Sequence, residues 1–183
     1  MRKDVWCNFG LNIRMGQHVK FSYDFYIERE INDIDYYDIT DDDDIYFSRR
    51  NICITSNVFD IRYSINEKIS LRFRTRHYYT GVDNFESYML QDNGSLLKDP
   101  EFKTTPNNYI SFNVDMSCRW IFAPGSELVF AWKNNVEDSE DYILRSIDDN
   151  YQKTFYYSNH VNTVSLKVLY YLDYNNVRKG KFF

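Results

Sequence analysis

The sequence predicts an all-β protein, an antiparallel up-and-down transmembrane β-barrel, present here as an incomplete C-terminal segment of about seven strands. Three observations predict it. Apolar and polar residues alternate with period two over long runs. The runs are joined by connections that are short and long in turn, as in barrels with short periplasmic turns and long outer loops. Tyr and Phe are abundant, 17 and 14 of 183 residues, while mean hydropathy is only −0.60. Such a pairing arises when apolar residues alternate with polar ones and do not cluster.

The first strand is expected from Val5 to Met15, with Val5, Cys7, Phe9, Leu11, Ile13 and Met15 on one face. Gly16-Gln17-His18 then closes a tight hairpin onto Val19, Phe21, Tyr23, Phe25 and Ile27, which alternate with Lys20, Ser22, Asp24, Tyr26 and Glu28. Residues 29–44 are expected to form a loop with an acidic run. Ile52 and Ile54 fall on the opposite parity to Phe59, Ile61, Tyr63 and Ile65, which predicts a β-bulge or a flared end between them. Asn66-Glu67-Lys68 turns the chain into a strand with Ile69, Leu71, Phe73, Thr75, His77 and Tyr79 on one face and Ser70, Arg72, Arg74, Arg76 and Tyr78 on the other. A second long connection, 81–108, leads to the most regular alternation. Ile110, Phe112, Val114, Met116, Cys118, Trp120 and Phe122 there oppose Ser111, Asn113, Asp115, Ser117 and Arg119. Pro124-Gly125 marks the next turn, before Leu128, Phe130 and Trp132. A third long loop, 135–162, is expected to hold one or two helical turns over 139–144. The final strand is expected from Val164 to Tyr174, with Arg178 to Phe183 beyond it.

Alternation alone also fits a half-buried soluble sheet. Strand length favours a bilayer, which requires about nine to eleven tilted residues. Aromatics gather toward strand ends, as in His77-Tyr78-Tyr79, Trp120-Ile121-Phe122 and Tyr170-Tyr171, where interfacial girdles lie. The polar faces are too charged for a dry core. No apolar run of about 18 residues exists to make a membrane helix.

The net charge of −5 and pI of 5.2 exclude the basic footprint of a nucleic-acid binder. Cys7, Cys53 and Cys118 are widely spaced, without CxxC or Cys/His ligand spacing, and read as small strand residues. The N-terminal residues carry no export signal, and the first strand would descend from the outer side. Both features lead to the expectation that upstream strands of a longer protein complete the barrel, so residues 1–183 form one part of one domain.

Ser111-Phe112-Asn113-Val114-Asp115, Arg119 to Leu128 with its Phe-Ala-Pro-Gly-Ser turn, and Val164 to Asn175 resemble the closing strands of an outer-membrane barrel family of Bacteroidota, the DUF5916 family of unknown function. The resemblance implies an outer-membrane location. Full-length members carry a secretion signal and an N-terminal domain similar to family 9 carbohydrate-binding modules. Carbohydrate is therefore a partner that the resemblance implies only through a module outside this sequence, and it implies no catalytic residues.

The charged residues expected to face the lumen are Asp24, Asp60, Arg62, Arg72, Arg74, Arg76, Asp115 and Arg119. Arg72, Arg74 and Arg76 repeat every second residue, about 7 Å apart on one face. Such a ladder could select anions in a pore, although pairing with lumen acids is the simpler expectation. Asp41, Asp42, Asp43 and Asp44 offer carboxylate oxygens for a divalent cation, but lack the glycine and spacing of a calcium loop and are expected to be a solvated surface loop. No hydrolase string accompanies His18, His77 or His160. The expectation is a non-enzymatic outer-membrane barrel without cofactor, embedded in outer-membrane lipid, serving solute passage or the display of surface loops. A soluble β-sheet protein that binds a sugar or lipid on its aromatic face is the alternative, and a barrel hydrolase is the third option.

Overall fold

A computed structural model describes residues 1–143 and 146–172. Its strands are β1 (Lys3–Met15), β2 (Val19–Ile39), β3 (Ile45–Ser64), β4 (Ile69–Leu90), β5 (Leu96–Lys98), β6 (Asn107–Ala123), β7 (Ser126–Glu140) and β8 (His160–Leu169). A short helix, α1 (Ile147–Gln152), and a π-helical turn (Lys153–Tyr157) lie between β7 and β8. The strands form one antiparallel sheet in the order β1-β2-β3-β4-β6-β7-β8, with β5 beside the end of β4. This is the up-and-down order that the sequence predicts. Among the described residues β1 bonds only to β2 and β8 only to β7, so the sheet is open.

The short turns fall where the sequence puts them. Gly16 adopts φ 63° between β1 and β2, a conformation that a β-carbon disfavours. Between β3 and β4, Oδ1 of Asn66 accepts from the backbone N–H groups of Lys68 and Ile69, each at 2.8 Å, so the side chain itself shapes the turn.

The first expected loop is mostly strand. β2 runs on to Ile39 and β3 starts at Ile45, leaving only a tight turn between them. Two irregularities in β2, between Glu30 and Asp33 and between Tyr36 and Asp38, shift its parity, and Asn32 takes φ 57° at the first. These shifts erase the period-two signal. Acidic residues stay extended there because cations meet them: Arg50 reaches Asp33 at 3.2 Å and Asp35 at 2.5 Å. The second and third loops shrink in the same way, as β4 continues to Leu90 and β7 to Glu140. The helical turns expected over 139–144 begin later. Ser139 and Glu140 end β7, while Ser146 caps α1 by accepting from the Asp149 N–H at 3.0 Å. The irregularity expected between Ile54 and Phe59 is absent. β3 pairs with β2 without interruption from Ile52 to Tyr63, so Ile52 and Ile54 simply lie on the polar side. β8 ends at Leu169, and Asp173, Tyr174 and residues 178–183 lie outside the described residues.

Register sorts the side chains into two contrasting faces. Ile13, Phe21, Ile61, Phe73, Met116, Trp132 and Val164 are successive cross-strand partners, a row of apolar side chains spanning seven strands. Met15, Val19, Tyr63, Leu71, Cys118, Phe130 and Leu166 form a second such row toward the turns. Much of this surface is open: Phe73 is 36% and Met116 40% exposed.

The buried cluster is farther along the same face. Phe112, Val114 and Val136 form it with Trp132 against them, and the ring of Phe155 closes on Phe112 edge-on at 5.0 Å. The alternation predicts one apolar face shared by Phe112, Val114, Met116 and Cys118. All four share the apolar face, but Phe112 is covered by the β7–β8 connection, and Val114 is buried in the same cluster. A different segment, residues 99–106, packs on the opposite face, where Phe102 stacks on Tyr46 at 3.7 Å and Asn84 donates to the Thr105 carbonyl at 2.9 Å.

Candidate functional site

The eight charged residues singled out from the sequence occur on one face of the sheet. Register makes Asp60 the partner of Arg74, Arg74 the partner of Asp115, and Arg62 the partner of Arg72. The ion pairs follow the register only at Asp115 and Lys133, and the others run along a strand or on the diagonals. Asp60 accepts from Arg72 Nη2 at 2.6 Å and Nε at 2.9 Å through one oxygen, and from Arg62 Nε at 3.0 Å through the other. Asp115 holds Arg76 at 2.7 Å and Lys133 at 3.8 Å. Arg119 turns to Glu127 at 2.5 Å. The pairs join neighbouring or hairpin-linked positions and do not cross the face. Arg74 Nε is buried and has no hydrogen-bond partner among the described residues, and Asp24 stands over Gly10, where a β-carbon would come 3.2 Å from its Oδ1.

A row of cations stands beside these pairs. Arg14 faces Lys20, Lys20 faces Arg62, and Arg62 faces Arg72 across four consecutive strands. A recess of about 330 Å³ opens there, lined by Asn12, Arg14, Lys20, Ser22, Asp60 and Arg62 among others. Alternation within single strands points to Arg62 and Arg72 but not to Arg14, Lys20, Lys133 or Glu127. The signal was available in the tight hairpin, which sets Arg14 and Lys20 opposite one another on the polar side of Gly16 and His18.

On the apolar face, a groove of about 380 Å³ runs between the sheet and α1. Its walls include Tyr23, Phe25, Arg29, Asn57, His77 and Tyr151. His77 was expected to be an interfacial aromatic on the strand end. It is 5% exposed, bonded through Nε2 to Asn150 Oδ1 at 2.9 Å and stacked on Tyr151 at 4.8 Å. His18 bonds to the Ser64 carbonyl at 2.7 Å and His160 to Asn134 at 3.0 Å. Histidine thus bonds to an amide or carbonyl oxygen in all three places.

The β7–β8 connection is anchored by charge as well as by rings. Lys153 meets Glu140 at 2.5 Å and Asp138 at 3.4 Å. The hydrogen bond to Glu140, with the nearby Asp138, holds the Lys153 ammonium above its usual range despite some desolvation.

Asp41 to Asp44 form the turn between β2 and β3. Backbone geometry shapes it: the Asp43 N–H donates to the Thr40 carbonyl at 3.0 Å, and Asp43 takes φ 65°. Among the described residues no group of three His, Cys, Asp or Glu side chains is placed to hold a metal ion. No helix among them is long and apolar enough to cross a membrane.

Residues 1–181 match a family model described as a domain of unknown function, DUF5916. No curated protein and no solved structure matches the chain.

Proposed function

The chain belongs to the DUF5916 family, and from that premise we propose that it forms part of the wall of an integral outer-membrane β-barrel with a polar lumen. The observation that carries this reading is the pair of unbroken apolar rows across seven strands, exposed on one face and backed by a charged face. Lipid covers such a surface at no desolvation penalty, whereas water would face a continuous apolar patch that soluble monomers avoid. Arg62, Arg72, Arg74, Arg76, Asp60, Asp115, Arg119 and Asp24 then face the lumen. Strands of 20 to 22 residues in β2, β3 and β4 exceed what a bilayer requires, so their far halves project beyond it and carry the turn at Asp41 to Asp44. The open edges of β1 and β8 pair with further strands of the same protein, since bare backbone groups in a bilayer cost several kcal/mol each. The role of such a wall is passage of a solute or display of its outer connections, with no chemistry of its own.

Single cysteines at Asp43 and at Gly125 in a cysteine-free background, labelled on intact cells with an impermeant thiol reagent, test the topology. Labelling at position 43 alone is expected; equal labelling at both sites overturns it. The groove under α1 favours a second reading, a soluble sheet that binds a sugar or lipid with Tyr23, Phe25 and Tyr151. A chain that stays monodisperse without detergent, with its aromatics protected, selects that reading.

A further inference from the structure

Arg14, Lys20, Arg62 and Arg72 stand in one cross-strand row, and like charges placed directly opposite destabilise a sheet. The carboxylate within their recess is Asp60, and both of its oxygens already serve Arg62 and Arg72. Among the described residues Arg14 commits only Nε, to the Gly16 carbonyl at 3.3 Å. Neither Arg14 nor Lys20 has a carboxylate partner among the described residues. Two guanidinium forks and one ammonium, from three strands, therefore converge on a recess of about 330 Å³ with donors to spare.

We propose that this recess binds a phosphoryl group. A carboxylate offers two oxygens in one plane and is matched by a single fork. A phosphoryl group offers three terminal oxygens in a tetrahedral fan, one for each of the two forks and one for the lysine, which acts as a point charge. Asn12 and Ser22 on the same wall supply neutral donors or acceptors to the remainder of the solute. The volume suits a phosphoryl group with a small body attached. Bound there, the anion neutralises the row and relieves its repulsion. The recess is built by β1, β2 and β3 alone, so the proposal stands whether or not a bilayer surrounds the sheet.

The test is calorimetric titration of the full chain in detergent micelles, and in buffer without detergent if the chain is soluble there. Inorganic pyrophosphate is the first probe and phosphatidic acid in mixed micelles the second, which separates a free phosphoryl solute from a lipid headgroup. Saturable binding of either probe is expected, weakened at least about tenfold by Arg14→Gln combined with Lys20→Gln. Lys20→Arg keeps the charge and is expected to retain binding, which guards against loss through misfolding. Lys98→Gln, on β5 at the far end of the sheet, is expected to bind like the parent. Absence of binding by both probes, an undiminished affinity in the double variant, or an equal loss in Lys98→Gln overturns the proposal.

Discussion

Asp60 stands directly across the β3–β4 ladder from Arg74, yet its carboxylate bonds to Arg62 and Arg72 instead. One acid thus braces two cations of the same row, while Arg74, which faces it, has no hydrogen bond at Nε among the described residues.

Asp60→Asn is therefore expected to lower stability by about 1 to 2 kcal/mol, the loss of charged hydrogen bonds discounted for the exposure of both arginines. Arg74→Gln is expected to cost less than half as much. Urea unfolding in micelles compares them; equal costs would place the working partner of Asp60 at Arg74.

Met116 and Ser117 are chain neighbours on opposite faces of β6. In the proposed barrel, Met116→Arg puts a charge in lipid and is expected to cost about 2 to 4 kcal/mol, whereas Ser117→Arg enters the lumen at little cost. Met116 is the better site than Val114, which is buried in the cluster with Phe112 and Val136. Similar losses at 116 and 117 would argue against a lipid-facing band.

Tyr79 lies over Gly81, so that a β-carbon at position 81 would come 2.5 Å from its Oη and 3.0 Å from its Cζ. Gly81→Ala is expected to destabilise the sheet by about 1 to 3 kcal/mol through overpacking. In a Tyr79→Leu background the same change should be nearly neutral, and the double-mutant cycle reads the coupling directly. Additive effects would mean that the ring moves aside freely.

The Asp99 carboxyl is held below the usual range, first by the Glu101 N–H and then by the Tyr46 hydroxyl and the Phe102 N–H. A carboxyl with a depressed folded pKa stabilises the fold above its unfolded value, and that contribution vanishes as pH falls through the folded value. Residues 99–106 should therefore stay protected at neutral pH and loosen below about pH 4. Hydrogen exchange at the Glu101 and Phe102 amides tests this, with Asp99→Asn expected to show low protection and no acid transition.

Period-two alternation made β1, β6 and the turn-proximal halves of β2, β3 and β4 legible, because each keeps one face apolar from end to end. The halves remote from these turns were not legible. Phe85 in β4 and the irregularities in β2 reverse the parity in mid-strand, and residues such as Asp33 and Asp35 look like loop until Arg50 is placed beside them. α1 was misplaced because its contacts, Tyr151 on His77 and Phe155 on Phe112, are remote in sequence. For the charged face, the arginine ladder was visible as a spacing within one strand. Arg14 and Lys20 joined it only once two hairpin registers were combined.

The segregation of charge along the strands has an electrical consequence. Lys20 and Asp38 begin and nearly end β2, about 60 Å apart at about 3.3 Å per residue. A Debye length at physiological salt is about 8 Å. The basic recess near the turns and the acidic rim at Asp38 to Asp44 are thus screened from each other by several such lengths, and each sets its own local potential. Added salt will weaken attraction at both ends independently, and the net charge of −5 describes the ion preference of neither.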